Sequence, residues 1–186
     1  MSRRIDPDEF EVPLNKTGGH MKVQDIMTQD VKFCGPDTNL AAATEILWQN
    51  NCGALPVLDS DGKLLGVITD RDMCIALGTR NCRASELAVN KVATKPVFTC
   101  GPKDDVHSAL KTLRQHQIRR MPVIGADGSL AGILCLDEIV LHAQKTEGKR
   151  GISYEDVVNT MKAICEHHPS EASKPATMAA GATPAL

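Results

Sequence analysis

Aromatic side chains are scarce: one Trp, one Tyr and three Phe make up 3% of the 186 residues. The 42% hydrophobic share must therefore build an aliphatic core of Val, Ile, Leu, Ala and Met. A surplus of charge is also missing, with 21 basic against 23 acidic residues and a formal charge of −2. That leaves no global basic field to attract nucleic acid or an anionic membrane. No apolar run is long enough to span a bilayer. The basic start, MSRR, is followed by IDPDEFEVP, which has no apolar stretch of the signal-peptide kind. A cytoplasmic location is the expectation. None of the seven cysteines forms C-x-x-C, which excludes a zinc ribbon and a thioredoxin motif. Most lie in apolar runs, where a reduced thiol behaves as a small hydrophobe. Neither G-x-x-x-x-G-K-[ST] nor G-x-G-x-x-G is present. His107 and His116 lie nine apart on a predicted helix, with no nucleophile or acid grouped with them. No catalytic or metal-ligating residue is assigned, and the chain is not read as an enzyme.

What is there is a repeat. Cys34 and Cys100, Gly35 and Gly101, and Pro36 and Pro102 are each 66 positions apart. So are Pro56 and Pro122, Val57 and Val123, Gly62 and Gly128, and Gly66 and Gly132. Seven identities in one ungapped register, mostly Gly and Pro at turn positions, define a duplicated unit. Each copy opens with a β-rich run, Val31–Cys34 or Val97–Cys100, stopped by Gly-Pro. A helix follows, with Thr38 or Asp104 as predicted N-cap. Leu40, Ala43 and Leu47 mark its apolar face in the first copy, and Val106, Ala109, Leu110 and Leu113 in the second. A hairpin comes next, its first strand at Ala54–Leu58 or Met121–Ile124. A last helix begins near Asp70 or Leu136.

The fold class is therefore α+β: two pseudo-twofold-related β-α-β-β-α repeats packed through their sheets. One copy alone is too small to bury both helices and its sheet. The predicted organisation is an N-terminal arm (1–20), repeat 1 (21–83), repeat 2 (84–143), a linker and helix (144–167) and a disordered tail (168–186). The helix, SYEDVVNTMKAICE, starts with a capping box at Ser153 and Asp156 and carries an apolar stripe of Val157, Met161 and Ile164.

The D-I-M-T lead-in (Asp25–Thr28), the G-A-L-P-V strand (Gly53–Val57) and the run Asp61–Asp72 resemble a cystathionine-β-synthase-type (CBS) domain. The second copy resembles another, and together they cover roughly residues 20 to 143. The resemblance is to small stand-alone bacterial CBS pairs, often called Bateman modules. It implies a disc-shaped pair that commonly dimerises and binds AMP, ADP, ATP or S-adenosylmethionine in clefts between the repeats. A homodimer and a regulated protein partner are expected on the same ground. No cofactor is implied beyond that regulatory ligand.

The family's ribose-phosphate motif, G-x-x-[ST]-x-x-[DN], is matched in full by Gly66–Asp72. Thr69 would donate to phosphate at a helix start, where free N–H groups and the dipole favour anions. Asp72 would accept from the ribose hydroxyls. The same pair also fits an ordinary capping box. In the second copy Cys135 replaces Ser/Thr and Glu138 replaces Asp, so one competent and one altered site are expected. The resemblance places Arg119 and Arg120 opposite the intact motif, where their guanidinium forks suit phosphate. A solvated strand end is their alternative. Val67, Val97, Phe98 and Met121 match positions that wall the adenine, and ordinary core packing explains them nearly as well. Two other readings stand beside the nucleotide sensor. One is a ligand-independent interaction or stress scaffold. The other is a thiol-based redox-responsive protein, for which Cys34 and Cys100 are the first residues to inspect.

Overall fold

The computed structural model describes residues 20–145 and 151–166. The predicted arm lies almost entirely, and the predicted tail entirely, outside them. Helix α1 (Leu40–Gln49) leads to strands β1 (Ala54–Leu58) and β2 (Leu64–Thr69) and helix α2 (Asp70–Arg80). The second copy repeats the order with α3 (Val106–His116), β3 (Arg120–Ile124), β4 (Leu130–Cys135) and α4 (Leu136–Leu141). Helix α5 (Tyr154–Cys165) follows.

Each hairpin is a two-stranded antiparallel sheet, and the two share one register. Val57 faces Gly66 and Val123 faces Gly132, and the register shifts one residue later in both. Their turns use the same chemistry. Gly62 and Gly128 take φ of 78° and 84°, the left-handed region that glycine enters at no steric cost. Asp59 Oδ1 accepts from the Asp61 and Lys63 amides, and Asp127 Oδ1 from the Ser129 amide and hydroxyl. Bonds of this kind explain why Asp opens so many turns.

Two expectations are corrected. The β-rich runs do not form strands: only Cys34 and Cys100 bridge, in parallel, to Val57 and Val123. The chain turns at Gly-Pro directly afterwards, and Phe33 points outward, 56% exposed. The N-caps are Asn39 and Asp105, one residue later than predicted. Thr38 and Asp104 instead accept from the Gly35 and Gly101 amides inside the turn.

The repeats exchange their leading segments. The Val23 and Gln24 amides donate to the carbonyls of Asp104 and Pro102 in repeat 2, and Thr28 pairs with Ile133 of β4. The Val89 and Asn90 amides donate to the carbonyls of Thr38 and Pro36 in repeat 1, and Thr94 pairs with Val67 of β2. Every one of these contacts has its twin 66 residues away. Val23 and Ile26 accordingly lie in the core of repeat 2 with Leu110, Met121 and Leu134. Val89 lies in the core of repeat 1 with Leu40, Leu55 and Ile68. Fully burying a side chain of this size contributes about 1.5–3 kcal/mol, so the exchange is a substantial part of the stability.

The hairpins also meet directly. Lys63 and Ser129, equivalent positions beside the two turns, form an antiparallel bridge, as a twofold axis between them requires. At the other end Gly53, just before β1, faces Arg120, the first residue of β3. Helix α5 lies along α3. Ser153 caps it, His107 Nε2 stands 3.6 Å from Asp156 Oδ2 at its start, and Gln117 Nε2 donates to the Ala163 and Glu166 carbonyls at its end. Start meets start and end meets end, so the two helices run parallel. No helix among the described residues is long and apolar enough to cross a membrane.

Candidate functional site

A cavity of 680 Å³ opens at the junction of the repeats. Repeat 1 supplies Thr28, Lys32 and the Asn51–Ala54 segment. Repeat 2 supplies Arg119 and Arg120 with Cys135 and Glu138, and the last turn of α5 completes the walls. The arginines are brought here by the β3 hairpin. Arg119 precedes the strand and its carbonyl accepts the Leu136 amide at 2.9 Å, which fixes the strand end to the start of α4. Arg120 opens the strand and reaches across to repeat 1. Its Nη1 and Nη2 lie 3.3 and 3.5 Å from where a Cβ on Gly53 would stand, and Asp70 Oδ2 is 3.5 Å from the same point. A Cβ at Gly53 would crowd the guanidinium, so glycine leaves it room between the repeats.

Electrostatics agree with this placement. Burial pushes the Cys135 thiol up to about 12, helped by the negative charge of Glu138 and opposed by Arg120. A thiol held neutral in this way is a poor nucleophile at neutral pH. The described residues hold no cluster of His, Cys, Asp and Glu fit for a metal ion. Glu138 is fixed on both oxygens. Oε1 accepts the Thr28 hydroxyl at 2.6 Å and Oε2 the Cys135 amide at 2.9 Å.

The intact motif of repeat 1 stands on the other side of the junction. The Asp72 amide donates to Thr69 Oγ1 at 3.1 Å. Asp72 Oδ2 accepts the Thr69 amide at 3.0 Å and the Thr69 hydroxyl at 2.7 Å. The pair is thus a capping box, and Oδ1 has no bonded partner among the described residues. Thr69 and Asp72 do not line the 680 Å³ cavity, although Arg120 lies beside Asp70, between them in sequence.

The four residues expected to wall the adenine each have identifiable neighbours. Val67 holds Thr94 through backbone bonds. Val97 lines another hollow, of 380 Å³, with Lys63 and Ile124. Phe98 stacks on His116, ring centroids 3.5 Å apart. Met121 is fully buried in the core of repeat 2. Sequence reasoning missed Thr28 and the end of α5. Thr28 had a signal, since it closes the D-I-M-T lead-in; nothing marked the end of α5.

The CBS-domain family profile matches residues 23–79 and 89–145, the same two copies that the register of 66 positions defines. The chain belongs to the CBS-domain family. It is 30% identical over 125 residues to the CBS domain-containing protein YhcV of Bacillus subtilis, covering 67% of this chain and 87% of that one. Among solved structures it is similar to the conserved CBS domain protein TA0289 of Thermoplasma acidophilum, with a TM-score of 0.65 and 22% identity over 77% of this chain and 75% of that one. It is also similar to CBSX2, a CBS-pair protein of Arabidopsis thaliana solved in complex with AMP. There the TM-score is 0.56 and the identity 28%, over 66% of this chain and 94% of that one. The CBS pair is thus established by profile, sequence and fold alike.

Proposed function

We propose that this CBS pair is a regulatory module that binds an adenine nucleotide (AMP, ADP, ATP or S-adenosylmethionine) between its repeats and acts without catalysis. The observation that carries the reading is the cavity walled by both repeats with Arg119 and Arg120 on it. A planar, permanently charged donor fork matches phosphate geometry. Glu138 stands in the same cavity, and its oxygens, each already accepting one bond, retain lone pairs for ribose hydroxyls. The crystallised AMP complex of CBSX2 supports the ligand class. Because the seat has walls from two repeats, a ligand that prefers one mutual arrangement shifts the pair toward it. A homodimer or a regulated partner is the proposed receiver of that shift.

The free Asp72 Oδ1 favours a second seat on the far side of Arg120, where Thr69 and Asp72 would hold phosphate and ribose. Val67, Val97, Phe98 and Met121 belong to that seat in the proposal.

A thermal-shift screen of the full chain tests both. A nucleotide at a hundred times its Kd stabilises by about 2.7 kcal/mol, a rise of several degrees for a chain of this size. Arg120→Ala is expected to remove the rise. Loss of the rise in Glu138→Ala assigns the cavity, and loss in Asp72→Ala assigns the far seat. No rise with any of the four nucleotides overturns the reading in favour of a ligand-independent scaffold.

A further inference from the structure

Helix α5 lies outside both segments that match the family profile. Its last turn nevertheless supplies Met161, Ile164 and Cys165 to the wall of the 680 Å³ cavity. It is anchored for that position. Val157 is buried and Thr160 fully so. At the far end Gln117, two residues before Arg119, holds the Ala163 and Glu166 carbonyls at 3.0 and 2.8 Å. One side chain thereby ties the end of α5 to the segment that presents the arginines.

Among the described residues repeat 1 has no such helix. The groove between α1 and α2, 550 Å³ and lined by Leu47, Trp48, Met73 and Leu77, is uncovered by the described residues, and Trp48 is 85% exposed. The addition of α5 therefore falls on one cleft of two. It brings apolar side chains to a cavity whose other walls carry Arg119, Arg120, Lys32 and Glu138. A nucleotide needs both kinds of surface: charge for phosphate and a flat apolar face for the base. Thioether sulfur packs favourably against aromatic rings, and Met161 is still 43% exposed.

We infer that the last turn of α5 is part of the nucleotide seat, with Met161 and Ile164 covering the base while Arg119 and Arg120 hold the phosphate. The inference rests on the nucleotide reading above and adds to it a specificity element from outside the repeats. Its consequence is that α5, through Gln117, registers whether the cleft is filled.

Calorimetric titration of the full chain with AMP and with S-adenosylmethionine is the test. Met161→Ala and Ile164→Ala are each expected to weaken binding about tenfold, the order expected when a ligand loses an apolar contact. Val158→Ala, on the same helix but off the cavity and 48% exposed, is expected to bind as the parent does. Unliganded melting temperatures close to the parent's are expected for all three. Parent-like affinity in Met161→Ala and Ile164→Ala, with binding lost in Arg120→Ala, overturns the role of α5 and leaves the nucleotide reading intact. Absence of binding by the parent chain overturns both.

Discussion

Asp72 and Glu138 occupy equivalent positions and do different work. Asp72 spends one oxygen on its own helix start and leaves the other free. Glu138 uses one oxygen to cap α4 and reaches with the other to Thr28, 110 residues away, in the exchanged leading segment. One extra methylene turns a local cap into a tie between the repeats. The departure from the family motif in repeat 2 thus gives the side chain a different role. Repeat 1 keeps a free acceptor, and repeat 2 gains a bond that holds the pair together.

The largest expected effect separates Gly132 from Gly66. A Cβ at Gly132 would stand 2.7 Å from the Thr28 carbonyl oxygen and 2.9 Å from Met27 Sδ, while at Gly66 the nearest atoms are at 3.3 Å. Gly132→Ala should lose about 3 kcal/mol, the upper range for overpacking, and Gly66→Ala about 1 kcal/mol or less. Urea unfolding measures both, and equal losses would mean that the Met27–Thr28 segment packed on repeat 2's hairpin is no more tightly held than its twin.

Next in size is Glu138→Ala against Asp72→Ala. Removing a cap costs about 1 kcal/mol, and Glu138 gives up its bond to Thr28 as well, worth about another 1 kcal/mol. Thr28→Val should reproduce only the second part. A Glu138 variant no less stable than the Asp72 variant breaks the comparison.

The smallest difference expected is between Cys34 and Cys100. Burial pushes the Cys34 thiol from 9.0 to about 11. Burial, then the charge of Asp104, pushes Cys100 to about 12. The folded chain keeps these protons where the unfolded chain has lost them. Their contribution is whole below pH 9.0 and declines as pH rises through 11 for Cys34 and 12 for Cys100. Thiolate absorbance during an alkaline titration should show Cys34 ionising before Cys100. Thiols raised in this way are slow nucleophiles at neutral pH.

Much of this architecture was legible because it is local. The turn glycines and the capping pair Thr69 and Asp72 follow from residues close in sequence, and the register of 66 positions from laying one copy over the other. What was not legible is where segments go once the chain folds back. Val23 and Ile26 read as the start of repeat 1, yet they complete the core of repeat 2. An apolar residue announces that it will be buried and does not announce against what. The same limit hid the end of α5, whose stripe promised packing but no address, and the bond from Glu138 to Thr28, which has no spacing to betray it. Caps went astray by one residue because Thr38 and Asp104 serve the preceding turn.

The exchanged leading segments make each half depend on the other. A single repeat on its own would lack the second hairpin that receives its first residues, and would need a twin molecule trading the same segment in return. Joining two such molecules end to end preserves every bond of that trade and makes it intramolecular. A cut between the repeats would therefore remove Val23 and Ile26 from one core and Val89 from the other.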